Sequence, residues 1–139
     1  MKNNFLNKLS ILLIFSISFL LVKKVQANSL KNNIKVVALT SLTADLINTI
    51  SKDSLVGIPG SSILKKNKEF DSIPIVSSGR MPPDLEKILS LKPDLVIGAK
   101  GFHDRPLSKL NSLGISTLST SISSLDDLDN LNKKLASKL

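Results

Sequence analysis

A short helix running directly into a buried strand is the pattern of residues 83–97, PDLEKILSLKPDLVI, and it decides the fold class. Apolar residues recur at helical spacing on one face (Leu85, Ile88, Leu89 and Leu91). We expect Pro82 and Pro83 in the first turn of this helix and Pro93 to end it. The apolar run that starts at Leu95 then predicts a strand.

Similar short apolar runs recur about 20 residues apart on both sides of this stretch. Runs this short and without alternation are typical of strands buried on both faces of a parallel sheet. The spacing leaves room for a helix between strands, which hairpins do not need. The sequence therefore predicts an α/β fold, a Rossmann-like parallel sheet with flanking helices. Its five strands are predicted at 34–39, 55–58, 73–76, 95–98 and 115–118.

Three further helices are predicted between these strands. The first has an apolar stripe from Leu42 to Ile50 and Thr40 or Ser41 as its cap. The next follows the strand at 95–98 and ends at Gly114, while the last begins at Ser124 and continues through Leu135. Residues 61–71 show neither pattern.

Composition excludes several classes of function. The 139 residues carry a net charge of +8, no cysteine and one histidine. Without cysteine there is no disulfide, thiol catalysis or Cys-linked lipid anchor, and one histidine excludes a multi-His metal site within the chain. The charge is dispersed, and beyond residue 27 the only aromatics are Phe70 and Phe102, so nucleic acid is not an expected partner.

A signal peptide is predicted at residues 1–27. Two lysines precede an almost wholly apolar stretch from Leu9 to Val22, and Val25 and Ala27 are the small residues of a cleavage site. The mature chain would be residues 28–139, exported to the periplasm. Lys23 and Lys24 leave an uncleaved membrane anchor as the alternative.

Ligands of open parallel sheets bind at the carboxyl ends of the strands, which nominates the loops that follow them. Hydroxyls, glycine amides and cations in these loops suit a solute with anionic or carbonyl oxygens. No nucleophile elbow or phosphate-binding loop is present, and His103 is expected to be a solvated loop residue. The candidate ligand-binding residues are Thr40, Ser41, Gly60, Ser61, Gly79, Arg80, Lys100 and Phe102.

Five motifs in order give the chain a family resemblance. Residues 83–97 resemble the "P-N-L-E-x-I-L-x-L-K-P-D-L-V-I" signature of the substrate-binding proteins of ABC importers for cobalamin, ferric siderophores and haem. Residues 35–43, 55–58, 110–115 and 123–128 resemble that family's first strand, second strand, "L-G-I" turn and "S-L-D-D-I" helix start.

The resemblance implies a two-lobed binding protein of which residues 28–139 form the N-terminal lobe. The second lobe would be lost by truncation or supplied by a separate chain. The implied ligand is a ferric siderophore or a cobalamin-like molecule, and the implied partner is an ABC permease. Arg80 resembles an arginine that faces the iron centre, and its alternative role is a surface arginine that caps a loop. Asp104 resembles an acid that docks on the permease, and its alternative role is the N-cap of the following helix.

Three other interpretations stay open at the level of sequence. One is an enzyme of another doubly wound family, which would need a general base or a phosphate loop. Another is a non-catalytic exported or membrane-anchored α/β module with no small-molecule ligand. The third is a manganese- or zinc-binding relative, which a single histidine disfavours. We expect a solute binder and not an enzyme.

Overall fold

A parallel sheet of five strands, in the order β3-β2-β1-β4-β5, forms the centre of the fold. The computed structural model describes residues 33–78 and 81–139. The predicted α/β class is confirmed, and each strand lies within or overlaps its predicted run. The strands are β1 (Val36–Ala38), β2 (Leu55–Pro59), β3 (Ile75–Ser77), β4 (Leu95–Ala99) and β5 (Ser116–Thr120).

Four helices flank the sheet: α1 (Ser41–Ser51), α2 (Leu85–Ser90), α3 (Asp104–Ser112) and α4 (Leu125–Ala136). Helices α1 and α4 pack on one face, where Ile47 and Leu135 meet Val36 and Ile97. Helices α2 and α3 pack on the other face and cover the side chains that alternate with those, such as Val37. Because β1 and β4 are covered on both faces, their residues are apolar without alternation.

The helix ends follow the local signals of the sequence. Thr40 caps α1, Ser124 caps α4 and Gly114, with a φ of 86°, follows the end of α3. One detail of the prediction was wrong. Asp84 is the N-cap of α2, so Pro82 and Pro83 lie before this helix and not in its first turn.

The segment between β2 and β3 forms short 3₁₀ turns, Leu64–Lys66 and Lys68–Phe70. Leu64 and Phe70 are buried in the core beside α1, which holds this segment against the sheet. Asn48 of α1 adds a hydrogen bond from its amide nitrogen to Glu69 (2.9 Å). The segment that could not be assigned from its sequence pattern is therefore anchored by two apolar side chains.

No helix within the described residues is long and apolar enough to cross a membrane. The predicted signal peptide, residues 1–27, lies outside the described residues, and so does the first part of the predicted mature chain 28–139.

Candidate functional site

The carboxyl ends of the five parallel strands lie along one edge of the sheet, and the nominated loops follow them there. Thr40 and Ser41 come after β1, Gly60 and Ser61 after β2, and Lys100 and Phe102 after β4. Gly79 and Arg80, predicted after β3, lie outside the described residues.

At the end of β1 the Thr40 hydroxyl is already engaged in the start of α1. Its Oγ1 accepts a hydrogen bond from the Thr43 amide (3.2 Å) and lies 2.8 Å from the Thr43 hydroxyl. This is the side-chain cap that the first turn of a helix needs. Thr40 therefore fixes the start of α1, where the neighbouring Ser41 is half-buried at the carboxyl edge of the sheet.

At the end of β2 the backbone of Gly60 touches the last residue of β3. Its amide donates a hydrogen bond to the Ser77 carbonyl at 2.6 Å, and a Cβ on Gly60 would lie 2.6 Å from the same oxygen. The Ser61 hydroxyl accepts a hydrogen bond from the Ile63 amide (3.2 Å) and so shapes the turn that leaves Ile63 exposed. Gly60 and Ser61 thus fix the path of two adjacent loops.

A groove of about 460 Å³ lies between α1 and the segment after β2. Ser41, Leu42 and Asp45 line it from α1, and Ile63, Leu64, Asn67 and Phe70 line it from the other side. The exposed side chains of Leu42 and Ile63 give it an apolar rim.

A second and larger pocket, of about 540 Å³, lies at the ends of β3 and β4. Phe102, whose side chain is 67% exposed, contributes an aromatic surface to it. Asp104 and Arg105 add one charge of each sign. The remaining lining residues are three prolines, a glycine and a histidine: Pro82, Pro83, Pro106, Gly101 and His103.

The loop from Lys100 to Asp104 that carries Phe102 is tied down at several points. The Lys100 amide donates to the Thr120 carbonyl of β5 (2.8 Å), while the Lys100 side chain is exposed. Gly101 has a φ of 81°, a backbone conformation that favours glycine. Its amide donates to Oδ2 of Asp104 (3.0 Å). Asp104 is the first residue of α3 and His103 is its N-cap, so the alternative of Asp104 as N-cap was wrong.

His103 differs most from its sequence-based expectation. It is only 6% exposed, so the prediction of a solvated loop histidine was wrong. Its Nδ1 accepts a hydrogen bond from the Ala99 amide (3.0 Å). Burial lowers the pKa of His103, and the Asp104 carboxylate opposes this in part. The glycine at 98, inside a predicted strand, was the feature of the sequence that could have indicated this burial. A Cβ on Gly98 would lie 2.7 Å from His103 Cβ, so only glycine leaves room for this side chain.

The described loops place apolar surfaces and two opposite charges at this edge of the sheet. Small-molecule sites combine apolar surface with a few polar groups in this way. Within residues 33–78 and 81–139, no three His, Asp or Glu side chains are close enough together to hold a metal ion.

The sequence pattern of the periplasmic binding protein family matches residues 36–137. The chain belongs to this family. Members of this family are solute binders and not enzymes. No curated protein matches the chain.

Solved structures carry the same fold. An ABC transporter substrate-binding protein from Listeria monocytogenes EGD-e is 29% identical, with a TM-score of 0.64 over 77% of this chain and 40% of that one. The periplasmic vitamin B12 binding protein BtuF of Vibrio cholerae is 24% identical, with a TM-score of 0.64 over 74% of this chain and 40% of that one.

A periplasmic heme binding protein from Pseudomonas aeruginosa is similar as well. It is 25% identical, with a TM-score of 0.60 over 74% of this chain and 37% of that chain. The chain therefore covers about 40% of the length of the solved proteins that it matches.

Proposed function

We propose that the chain is the N-terminal lobe of a substrate-binding protein that delivers a solute to an ABC importer. The observation that carries this proposal is the pocket lined by Phe102 at the carboxyl edge of a sheet with this family's fold. An open pocket with an exposed aromatic side chain and one guanidinium suits an organic ligand that also carries polar oxygens.

The proposed ligand is a ferric siderophore or a cobalamin-like molecule. Support comes from similar solved proteins that bind vitamin B12 or heme or take part in iron uptake. Support also comes from Arg80, which precedes Pro82 and Pro83 of the pocket in the sequence and carries a planar, permanently charged group suited to hydroxamate or carboxylate oxygens.

The proposed partner is the membrane permease of the same importer, and Asp104 is the proposed docking residue. Its side chain is exposed at the start of α3 and its Oδ2 is oriented by the Gly101 amide. A fixed, accessible carboxylate is suited to pair with an arginine of a partner. Export to the periplasm through the signal peptide 1–27 belongs to the same proposal.

Ligand titration tests the proposal directly. The full chain, which has no Trp or Tyr, is titrated with ferric hydroxamates, ferric catecholates, cobalamin and haem, with ligand difference absorbance or calorimetry as the readout. We expect one of these to bind with a Kd on the order of micromolar or weaker, because one lobe leaves much of a ligand in water. Binding of none of them would contradict the proposal and favour an α/β module without a small-molecule ligand.

A matched pair of variants locates the site. Phe102→Ala removes the exposed ring of the pocket, and partial loss of its apolar contact, about 1–2 kcal/mol, predicts about fivefold to thirtyfold weaker binding. Leu113→Ala is the control, since Leu113 is also an exposed apolar residue but lies at the opposite end of α3. Equal losses in both variants would exclude the Phe102 pocket as the site.

A further inference from the structure

His103 closes the loop that carries Phe102 and Asp104. Its main-chain amide donates to the Ala99 carbonyl (2.9 Å), and its ring Nδ1 accepts from the Ala99 amide (3.0 Å). One residue therefore satisfies both backbone groups of Ala99, at the point where β4 ends. The carbonyl of His103 then accepts from the Leu107 amide (3.0 Å) and begins α3.

Packing around the ring leaves little freedom for it to move. Gly98 provides the space that the ring occupies, because a Cβ there would lie 2.7 Å from His103 Cβ and 3.1 Å from Cγ. The Phe102 ring meets the imidazole edge to face, with centroids 4.8 Å apart and planes at 80°. The position of the exposed Phe102 side chain thus depends on the buried ring beside it.

The hydrogen bond to Ala99 requires a neutral imidazole. A backbone amide can only donate, so Nδ1 has to carry a lone pair and the proton of the neutral ring lies on Nε2. Protonation would place a second N–H opposite the Ala99 amide and would put a charge on a ring that is 6% exposed. Both changes oppose the observed conformation of the loop.

We propose that His103 is the positioning residue of the loop from Lys100 to Asp104, and that protonation of its ring releases this loop in acid. Phe102 and Asp104 would then lose their fixed places at the edge of the sheet. The inference does not depend on the proposed transport function, because its readouts are the ring and the backbone of the loop.

Few charges face the ring to compete with this effect. Asp104 and Arg105 line the same pocket from α3, and Lys100 begins the same loop. The other neighbours of the ring carry no titratable side chain. They are Gly98 and Ala99 of β4 and the prolines at 82 and 83.

The direction of the pH dependence follows from burial. Desolvation lowers the pKa of His103 below its ordinary value of 6.5, with a smaller opposing effect of Asp104. The loop is therefore fully held above about pH 6.5 and loses stability as the pH falls from 6.5 to the folded-state pKa. Within that range the opening constant of the loop rises by up to about tenfold per pH unit.

NMR of the full chain tests the first step. His103 is the only histidine, so its ring signals are assigned without mutagenesis. We expect ring nitrogen shifts of the Nε2–H tautomer at neutral pH and a titration midpoint below 6.5. The Nδ1–H tautomer, or a midpoint at or above 6.5, would overturn the proposal.

Hydrogen exchange tests the second step. The protection factor of the Ala99 amide, corrected for intrinsic exchange, is measured against pH in the wild type and in His103→Asn. Asparagine keeps a short acceptor near the place of Nδ1 but does not titrate. We expect protection to fall in acid, by up to about tenfold per pH unit, in the wild type and to stay constant in the variant.

The buried Val37 amide of β1 is the internal control in the same experiment. Its protection is expected to stay constant while that of Ala99 falls. A parallel fall at Val37 would mean that the whole fold titrates and would overturn the assignment to the loop. Constant protection of Ala99 in the wild type, or the same pH dependence in His103→Asn, would overturn it equally.

Discussion

Gly60 is the residue at which the loop after β2 meets the end of β3. Its amide lies 2.6 Å from the Ser77 carbonyl oxygen, and a side chain at Gly60 would point at that same oxygen. Since the obstacle is backbone and not a flexible side chain, it cannot move aside without displacing a strand end. Glycine is therefore a requirement of this contact and not of a positive φ.

We expect Gly60→Ala to lower the free energy of unfolding by about 1–3 kcal/mol, as overpacking does at a site that cannot relax. Chemical denaturation of both proteins measures the difference. Gly57→Ala is the matched control. The three nearest atoms to a Cβ on Gly57 are side-chain carbons, of Leu91 and Val76 at 3.0 Å and of Val37 at 3.1 Å. They lie farther away than the Ser77 oxygen at 2.6 Å, so the loss is expected to be smaller. A greater loss in Gly57→Ala would contradict the explanation.

At the scale of elements, α4 is held at its start by a reciprocal pair of side-chain caps. The Ser124 hydroxyl accepts from the Asp127 amide (3.1 Å), while Oδ2 of Asp127 accepts from the Ser123 and Ser124 amides (2.9 and 3.0 Å). These bonds lower the pKa of Asp127. Leu131 and Leu135 further along the helix are buried against α1 and the sheet, so the cap also sets where the core contacts fall.

Ser124→Ala is expected to lower the free energy of unfolding by about 0.5–2 kcal/mol, because one amide of the first turn loses its acceptor. Thermal or chemical denaturation provides the measurement. Ser123→Ala serves as the control, since only the main-chain amide of Ser123 takes part in the cap and alanine retains it. Equal effects of the two substitutions would contradict the role of the Ser124 hydroxyl.

At the scale of the whole molecule, the edge formed by the strand ends gathers residues from distant parts of the sequence. The groove beside Ser41 and the pocket beside Phe102 together include contributions from the loops after β1, β2, β3 and β4. Exposed apolar side chains at this edge, including Leu42, Ile63 and Met81, give it a surface that a ligand or a second lobe would cover.

Arg80 is expected to be the main polar anchor for a ferric hydroxamate in this surface. Arg80→Ala would remove a charged hydrogen bond worth about 1.5–3 kcal/mol, and affinity would fall about tenfold to a hundredfold. Titration of both proteins with the same chelate measures this. Lys92→Ala is the control, because it likewise removes one cation, and the exposed Lys92 lies before β4, at the opposite edge of the sheet. Unchanged affinity in Arg80→Ala would exclude Arg80 from the site.

The sequence by itself determined the strands, the caps of α1 and α4 and the family. Apolar runs such as 95–98 predict strands because burial on both faces acts on every residue of the run. Caps such as Thr40 and Ser124 are equally readable, because a cap bonds an amide three residues away. Both signals are local and survive in a single sequence.

Only the tertiary structure decided how these elements meet. Asp94 accepts the amide of Lys35, 59 residues earlier, and Gly60 touches Ser77, and neither contact has a local signature. The sequence alone predicts that His103 is a solvated loop residue. It is buried because Gly98 leaves space for its ring and the Ala99 amide donates a hydrogen bond to its Nδ1. Burial and partner choice depend on what packs nearby, which periodicity does not encode.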